Sequence, residues 1–144
     1  MQARSRPSWQ RWAMRIAEVV ADRSEDPYVQ VGCIVARHTD GIVLSMGYNG
    51  LPPGVDKPLE WWRDRDGRRP FMVHAEMNAL RFVSPQPGLI LVSTHIPCST
   101  CMAVIGSFQI GAVVYKDRLG EAHDHKLILR IAAMNGIHVT QIGD

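Results

Sequence analysis

Cysteine is scarce, with three residues among 144. That count does not build a disulfide framework, so thiols or metal ligands are expected instead. Long apolar runs are missing as well. None approaches the ~18 residues of a membrane span, and no apolar signal segment follows the N-terminal arginines. The N-terminal segment resembles a transit peptide in its arginines, but Glu18 and Asp22 make it read as a folded helix. A cytoplasmic protein without a membrane partner is the expectation. Net charge is small at +2, which argues against a protein that coats duplex nucleic acid through its phosphates. Repeats, low-complexity tracts and inter-domain linkers are also missing, so residues 1–144 are expected to form one domain.

What is present fits an ordinary globular chain, with 46% hydrophobic and 21% charged residues. A chain of this length buries about two-thirds of its unfolded surface. The basic residues are unevenly placed. Arg4, Arg6, Arg11 and Arg15 lie near the N-terminus, and Arg63, Arg65, Arg68 and Arg69 crowd one loop. Solvated arginines partly balanced by Asp64 and Asp66 are the plain reading of that loop; an anion site is the alternative.

Trp9, Trp12, Ala13, Ile16, Ala17 and Val20 recur at three- and four-residue spacing, which predicts an amphipathic helix over 8–22. "YVQVGCIVAR" and "GIVLSMGY" are β-rich runs around "HTD" and predict a hairpin. Residues 49–70 form a long Pro/Gly-rich connection, which Trp61 and Trp62 mark as ordered and packed. "MVHAEMNALRFV" (72–83), "CSTCMAVIGSF" (98–108) and residues 121–134 read as helices. "LILVSTH" (89–95), "IGAVVYK" (110–116) and "GIHVTQI" (136–142) read as strands. The expected fold is therefore α/β, three layers around a five-stranded mixed sheet. It is largely parallel, with the hairpin as its antiparallel part.

The chemistry concentrates in "VHAEMNAL" (73–80) and "PCSTC" (97–101). Cys98 and Cys101 stand at i and i+3, so one helical turn can aim both sulfurs at one point. A helix start favours thiolate, the metal-binding form. His74 adds an imidazole, giving three protein ligands to Zn²⁺, one short of a closed tetrahedron. A catalytic site keeps that fourth position for water, whose pKa zinc lowers towards ~7. Glu76 is then placed to take a proton from the water and return it to a leaving amine. Residues i and i+2 do not share a helical face, so His74 is expected at the helix entrance and Glu76 in its first turn. H-A-E followed by P-C-x-x-C is a recognised zinc-deaminase signature. Cys33, inside an apolar strand, reads as a buried small hydrophobe. His95 precedes "IPC" and could neighbour the site, a structural role being the plain reading. His123 and His125 flank Asp124 near a helix start, where a second metal site is the less favoured alternative.

The chain resembles the deoxycytidylate (dCMP) deaminases of the cytidine-deaminase fold. The resemblance rests on "RSEDP" (23–27), "QVGCIV" (30–35), "GYNGLPPG" (47–54), the H-A-E and P-C-x-x-C segments, "IGAVVY" and "AAMNGI". It implies a zinc-dependent hydrolase converting dCMP to dUMP and ammonia, with one Zn²⁺ per subunit held by His74, Cys98 and Cys101, and Glu76 as proton shuttle. By the same resemblance Asn49 would contact the nucleotide. Arg23, Ser24 and Tyr115 would be nucleotide or phosphate contacts, and the backbone near Ala75 would hold the base. The resemblance also implies a homo-oligomer, a hexamer in the family, and dCTP and dTTP as effectors.

Two features depart from the pattern. Many relatives carry Tyr-His-Asp after the fourth strand, where "AHD" here places Ala122, which bears on tolerance for modified cytosines. The 55–70 loop holds neither His nor Cys, so an extra structural zinc is not expected there. Alternatives are a deaminase of a modified deoxycytidylate, a nucleoside, a free base or tRNA adenosine. A tRNA enzyme would carry Glu where this chain has Ile96. A non-catalytic zinc-stabilised binding domain is the rival of another class, which Glu76 argues against.

Overall fold

The computed structural model describes residues 1–118, 120 and 124–143. The first helix, α1 (Trp9–Ala21), starts where the Ser8 hydroxyl accepts from the Arg11 N–H at 3.3 Å. Its stripe of Ala13, Met14, Ala17 and Val20 is buried. The hairpin follows as β1 (Gly32–Arg37) and β2 (Val43–Tyr48), in antiparallel register. Next come α2 (Leu59–Arg63), α3 (Arg65–Arg68) and a 3₁₀ turn (Arg69–Phe71). After these come α4 (Ala75–Leu80), β3 (Leu89–His95), α5 (Ser99–Ser107), β4 (Ala112–Asp117), α6 (His125–Met134) and β5 (His138–Gln141). Among the described residues no helix is long and apolar enough to cross a membrane.

The sheet has five strands in the order β2-β1-β3-β4-β5. β3–β4 and β4–β5 are parallel, whereas β1 is antiparallel to both β2 and β3. The antiparallel part thus extends beyond the hairpin. The crossover through α4 carries the chain from β2 over β1 to β3, so four strands run one way and β1 alone opposes them. Alternation along the central strands sorts two cores. Ile34, Ala36, Ile90, Val92 and Val114 face α1. Cys33, Val35, Leu91, Val113 and Tyr115 face the opposite layer, with Ala79, Leu80, Met102, Ile105 and Ile128. Cys33 is fully buried there, as expected of a small hydrophobe.

The helix predicted over 72–83 is shorter, because the backbone of Val73 is already paired. Its N–H donates to Gly50 O at 2.8 Å and its carbonyl accepts from Gly50 N at 3.1 Å. The chain stays extended through His74 and turns helical at Ala75. The 49–70 connection is also more regular than predicted. Trp62 is buried and meets Trp61 edge to face, at 5.3 Å between centroids. The last helix begins at His125, with Asp124 Oδ1 accepting from Leu127 N at 3.0 Å. The predicted residues 121–123 of that helix lie outside the described residues.

Gly47 lets α4 lie directly on β2. A Cβ there would stand 2.6 Å from Ala75 O and would also overlap Ala79 N. Gly47→Ala must push away the helix that carries Glu76. We expect it to destabilise the fold by about 3 kcal/mol, as overpacking of a closed contact does. A lowered urea midpoint at unchanged slope is the measurement.

Candidate metal centre and its cavity

His74 and Cys98 occupy equivalent places, each the extended residue immediately before a helix. His74 precedes α4 with φ −70° and ψ 152°, and Cys98 precedes α5 with φ −67° and ψ 171°. Cys101 follows in the first turn of α5 and is buried. The expected i, i+3 geometry is met. One ligand atom from each of the three lies within 4.8 Å of the others. His74 Nδ1 is 3.2 Å from Cys101 Sγ and 3.6 Å from Cys98 Sγ. Tetrahedral zinc with Zn–S of about 2.3 Å and Zn–N of about 2.0 Å separates N from S by roughly 3.5 Å. The donor set fits that ion, and these residues are positioned to bind it.

The protonation of the donors points the same way. The hydrogen bond from Cys101 holds the Cys98 thiol down at about 3, against burial, with His74 adding to the effect. Cys101 is pushed up, first by hydrogen bonding to Cys98 and then by burial. Hydrogen bonding to Cys98 raises His74. The two sulfurs thus share one proton, a place that a cation can take.

Glu76 lies in the first turn of α4 and is only 4% exposed. Burial raises its pKa, with its own backbone N–H and His74 pulling the other way. The Ser93 hydroxyl donates to Oε1 at 3.3 Å. A carboxylate kept this dry holds a proton more readily than one in water, which suits a group that must both take and return one.

His74, Glu76 and Cys98 face a cavity of about 440 Å³, within the size range of small-molecule sites. Val29, Val31, Asn49, Met72, Ala75 and Ile96 line it beside His74, Glu76 and Cys98. Asp26, Arg65, Arg68, Arg69, His95, Arg118 and Gly120 form the rest of its described wall. Of the residues expected to touch a nucleotide, Asn49 and Ala75 line this cavity. The amide of Asn49 is already engaged: Oδ1 accepts from Val31 N at 2.8 Å, and Nδ2 donates to Val29 O at 3.0 Å and Asp26 Oδ2 at 3.4 Å. One lone pair on Oδ1 is its remaining capacity.

The other three are elsewhere. Tyr115 is 4% exposed and packs in the core, because its place on β4 turns it into the sheet's inner face rather than out of its end. Arg23 is exposed just past α1 and does not line the cavity. Ser24 supports the wall from behind: its hydroxyl donates to Asn49 O at 2.8 Å and accepts from Asp26 N at 3.3 Å. Ala122 and His123 lie outside the described residues.

Sequence reading missed Asp26 and Arg118, and it favoured a structural role for His95 over a place beside the site. His95 does line the cavity; its Nδ1 is 2.9 Å from Thr94 Oγ1, and burial lowers its pKa. "RSEDP" was a signal for Asp26. Nothing local marks Arg118, which reaches the cavity only because β4 ends beside β3.

Residues 7–117 match the family model of the cytidine and deoxycytidylate deaminase zinc-binding region. The chain belongs to this family. It is 34% identical to a probable deoxycytidylate deaminase of Caenorhabditis elegans over 114 residues, covering 75% of this chain and 57% of the relative. It is 33% identical to the deoxycytidylate deaminase of Mus musculus over 115 residues, covering 74% and 64% respectively. The chain thus spans less than two-thirds of either relative. Among solved structures, the dCMP deaminase of cyanophage S-TIM5 in complex with dCMP and dUMP superposes with a TM-score of 0.78. Its sequence identity is 27%, over 96% of this chain and 100% of that one. The three-layer fold with its mixed five-stranded sheet is the fold of that deaminase.

Proposed function

We propose that this chain, as one deaminase domain over residues 1–144, hydrolyses the 4-amino group of dCMP to give dUMP and ammonia. One observation carries the reading. Among the described residues the donor set has three members, His74, Cys98 and Cys101, and two of them, His74 and Cys98, line one cavity with the buried carboxylate of Glu76. A closed structural zinc site uses four protein ligands and needs no such acid. Zinc, when bound, supplies a Lewis acid that makes water a nucleophile near neutral pH.

The chain's own residues handle protons and position. Glu76 takes the proton released as water adds to C4 of the pyrimidine. It delivers that proton to the ring nitrogen, then passes the proton of the new C4 hydroxyl to the exocyclic amine, which leaves as ammonia as the C4–N bond breaks and C4 becomes the carbonyl of dUMP. Ser93, donating to Oε1, fixes which carboxylate oxygen is free to turn to the substrate. The dry setting preserves the strength of these contacts. Asn49 and the backbone at Ala75 form the wall against which the base would lie.

The nucleotide part of the reading is supported by the cyanophage relative, whose structure holds dCMP and dUMP. Zinc-loaded protein is expected to release ammonia from dCMP with kcat/KM at least about tenfold above cytidine, the least that one charge-assisted contact to the phosphate provides. dCTP, guanine and 5-modified dCMP complete the panel. Equal rates on dCMP and cytidine would exclude the monophosphate as the recognised feature. No ammonia from any of them would favour a zinc-stabilised binding domain.

A further inference from the structure

The arginines of residues 63–69 have no role in the chemistry at C4, yet the fold separates them sharply. Arg68 is buried, its side chain 5% exposed, and its guanidinium pairs with Asp26 in a two-pronged contact: Nη1 to Oδ2 at 2.8 Å and Nη2 to Oδ1 at 3.0 Å. The rings of Tyr28 and Trp62 lie at 5.1 and 5.3 Å from its Cζ. Asp26 also accepts from the backbone N–H groups of Tyr28 and Val29 at 2.8 and 3.3 Å, and from Asn49 Nδ2. This carboxylate is saturated and its charge is neutralised.

Such an ion pair is a weak device for stability alone, because desolvation offsets much of the attraction. Here it also leaves Arg68 Nε buried without a hydrogen-bond partner among the described residues. What it does accomplish is position. It joins α3 to the cavity wall at Asp26 and Asn49, and the Tyr28 hydroxyl adds a second tie by donating to Arg63 O at 3.0 Å.

The neighbours of Arg68 face the cavity with their charges available. Arg65 and Arg69 line it from this segment, and Arg118 lines it from the end of β4. Neither Arg65 nor Arg118 has a carboxylate within ion-pair distance among the described residues. Among the described residues Arg69 has only exposed Asp66, at 3.7 Å. The described wall carries four arginines against two carboxylates, Asp26 and Glu76. That surplus matches a phosphate monoester, which carries about −1.5 to −2 at neutral pH.

We propose that Arg65–Arg69 is an arm that grips the 5′-phosphate of the nucleotide. Arg65 and Arg69, with Arg118 opposite, hold the anion, and Arg68 is the positioning residue whose latch to Asp26 seats the arm. This deepens the deaminase reading and rests on it for the ligand, so its test uses binding of a product rather than turnover. Calorimetric titration of the zinc-loaded full chain with dUMP and with deoxyuridine isolates the phosphate. Wild type should bind dUMP at least about thirtyfold tighter than deoxyuridine, and Arg65→Ala/Arg69→Ala or Arg118→Ala should each cut that ratio roughly tenfold.

Arg68→Leu should cut the same ratio while leaving deoxyuridine affinity within about threefold. Added to Arg65→Ala/Arg69→Ala, it should change the ratio no further, since a latch has nothing left to seat. Arg68→Lys, which keeps the charge without the planar fork, serves where the leucine variant does not fold, and should lower the ratio partway. The proposal is overturned if wild type binds both ligands equally. It is also overturned if the Arg68 variants weaken both alike, or if Arg68→Leu and the arm substitutions are additive. Ammonia release from dCMP is scored separately: no turnover with the ratio and its variant effects intact would overturn the deaminase reading and leave the arm standing.

Discussion

Glu76→Gln is expected to lower kcat on dCMP by at least about 10²–10⁴-fold, the range that a positioned general acid–base supplies. Zinc content and the unfolding midpoint should stay near wild type. The amide is nearly the same size as the carboxylate, so the packing of α4 against β2 is retained. The Ser93 hydroxyl can still donate to an amide oxygen as it does to Oε1. Lost is the capacity to hold and release a proton in a dry site. Steady-state rates with dCMP, metal analysis and thermal unfolding on one preparation give the answer. Parallel loss of zinc would assign Glu76 a structural role instead, and the hydrolytic reading would lose its shuttle.

Removing a ligand is expected to act in the opposite manner, on the fold as well as on the chemistry. His74→Ala and Cys101→Ala, or chelation of the wild type, should release zinc and abolish turnover. An ion bound at about a thousandfold above its dissociation constant stabilises the native state by roughly 4 kcal/mol. For a chain of this size that is a fall of roughly 10 °C in Tm. Cys101 should be the more damaging position, since it is 1% exposed and packs in the core, whereas His74 is exposed at the cavity. Scanning calorimetry with and without added zinc separates the two contributions. An added-zinc shift of similar size in wild type and in both variants would mean that the metal sits elsewhere.

The local parts of this protein could be read from its residues because their signals are local. The stripe of α1, the β-branched strand Leu89–His95 and the helix following Cys98 each declare themselves within one segment. So does the metal set. H-A-E and P-C-x-x-C carry ligand types at spacings that few other arrangements use, and the structure brings His74, Cys98 and Cys101 within ligand distance. The differences share a cause as well. The helix over 72–83 begins only after His74, the entrance that the His74–Glu76 spacing requires, and Met72 and Val73 stay outside it because Val73 pairs with Gly50, a partner supplied from far along the chain. The family resemblance makes Tyr115 a nucleotide contact, whereas here it packs in the core, because the direction of a strand side chain depends on which layer covers that face. Arg68 and Arg69 are adjacent and chemically identical. One is buried against Asp26 and the other is exposed at the cavity, and no pattern in "DGRRP" separates them.

The amino-acid sequence by itself determined the α/β class, the three candidate metal ligands and the glutamate placed beside them, since each depends on residue type and short-range spacing. Tertiary structure alone decided which strand opposes the others, which face of the sheet takes Tyr115, and which arginine is buried against Asp26 while its neighbours face the cavity. Those outcomes depend on pairings between distant segments, where burial and a single carboxylate, Asp26, give neighbouring residues different surroundings.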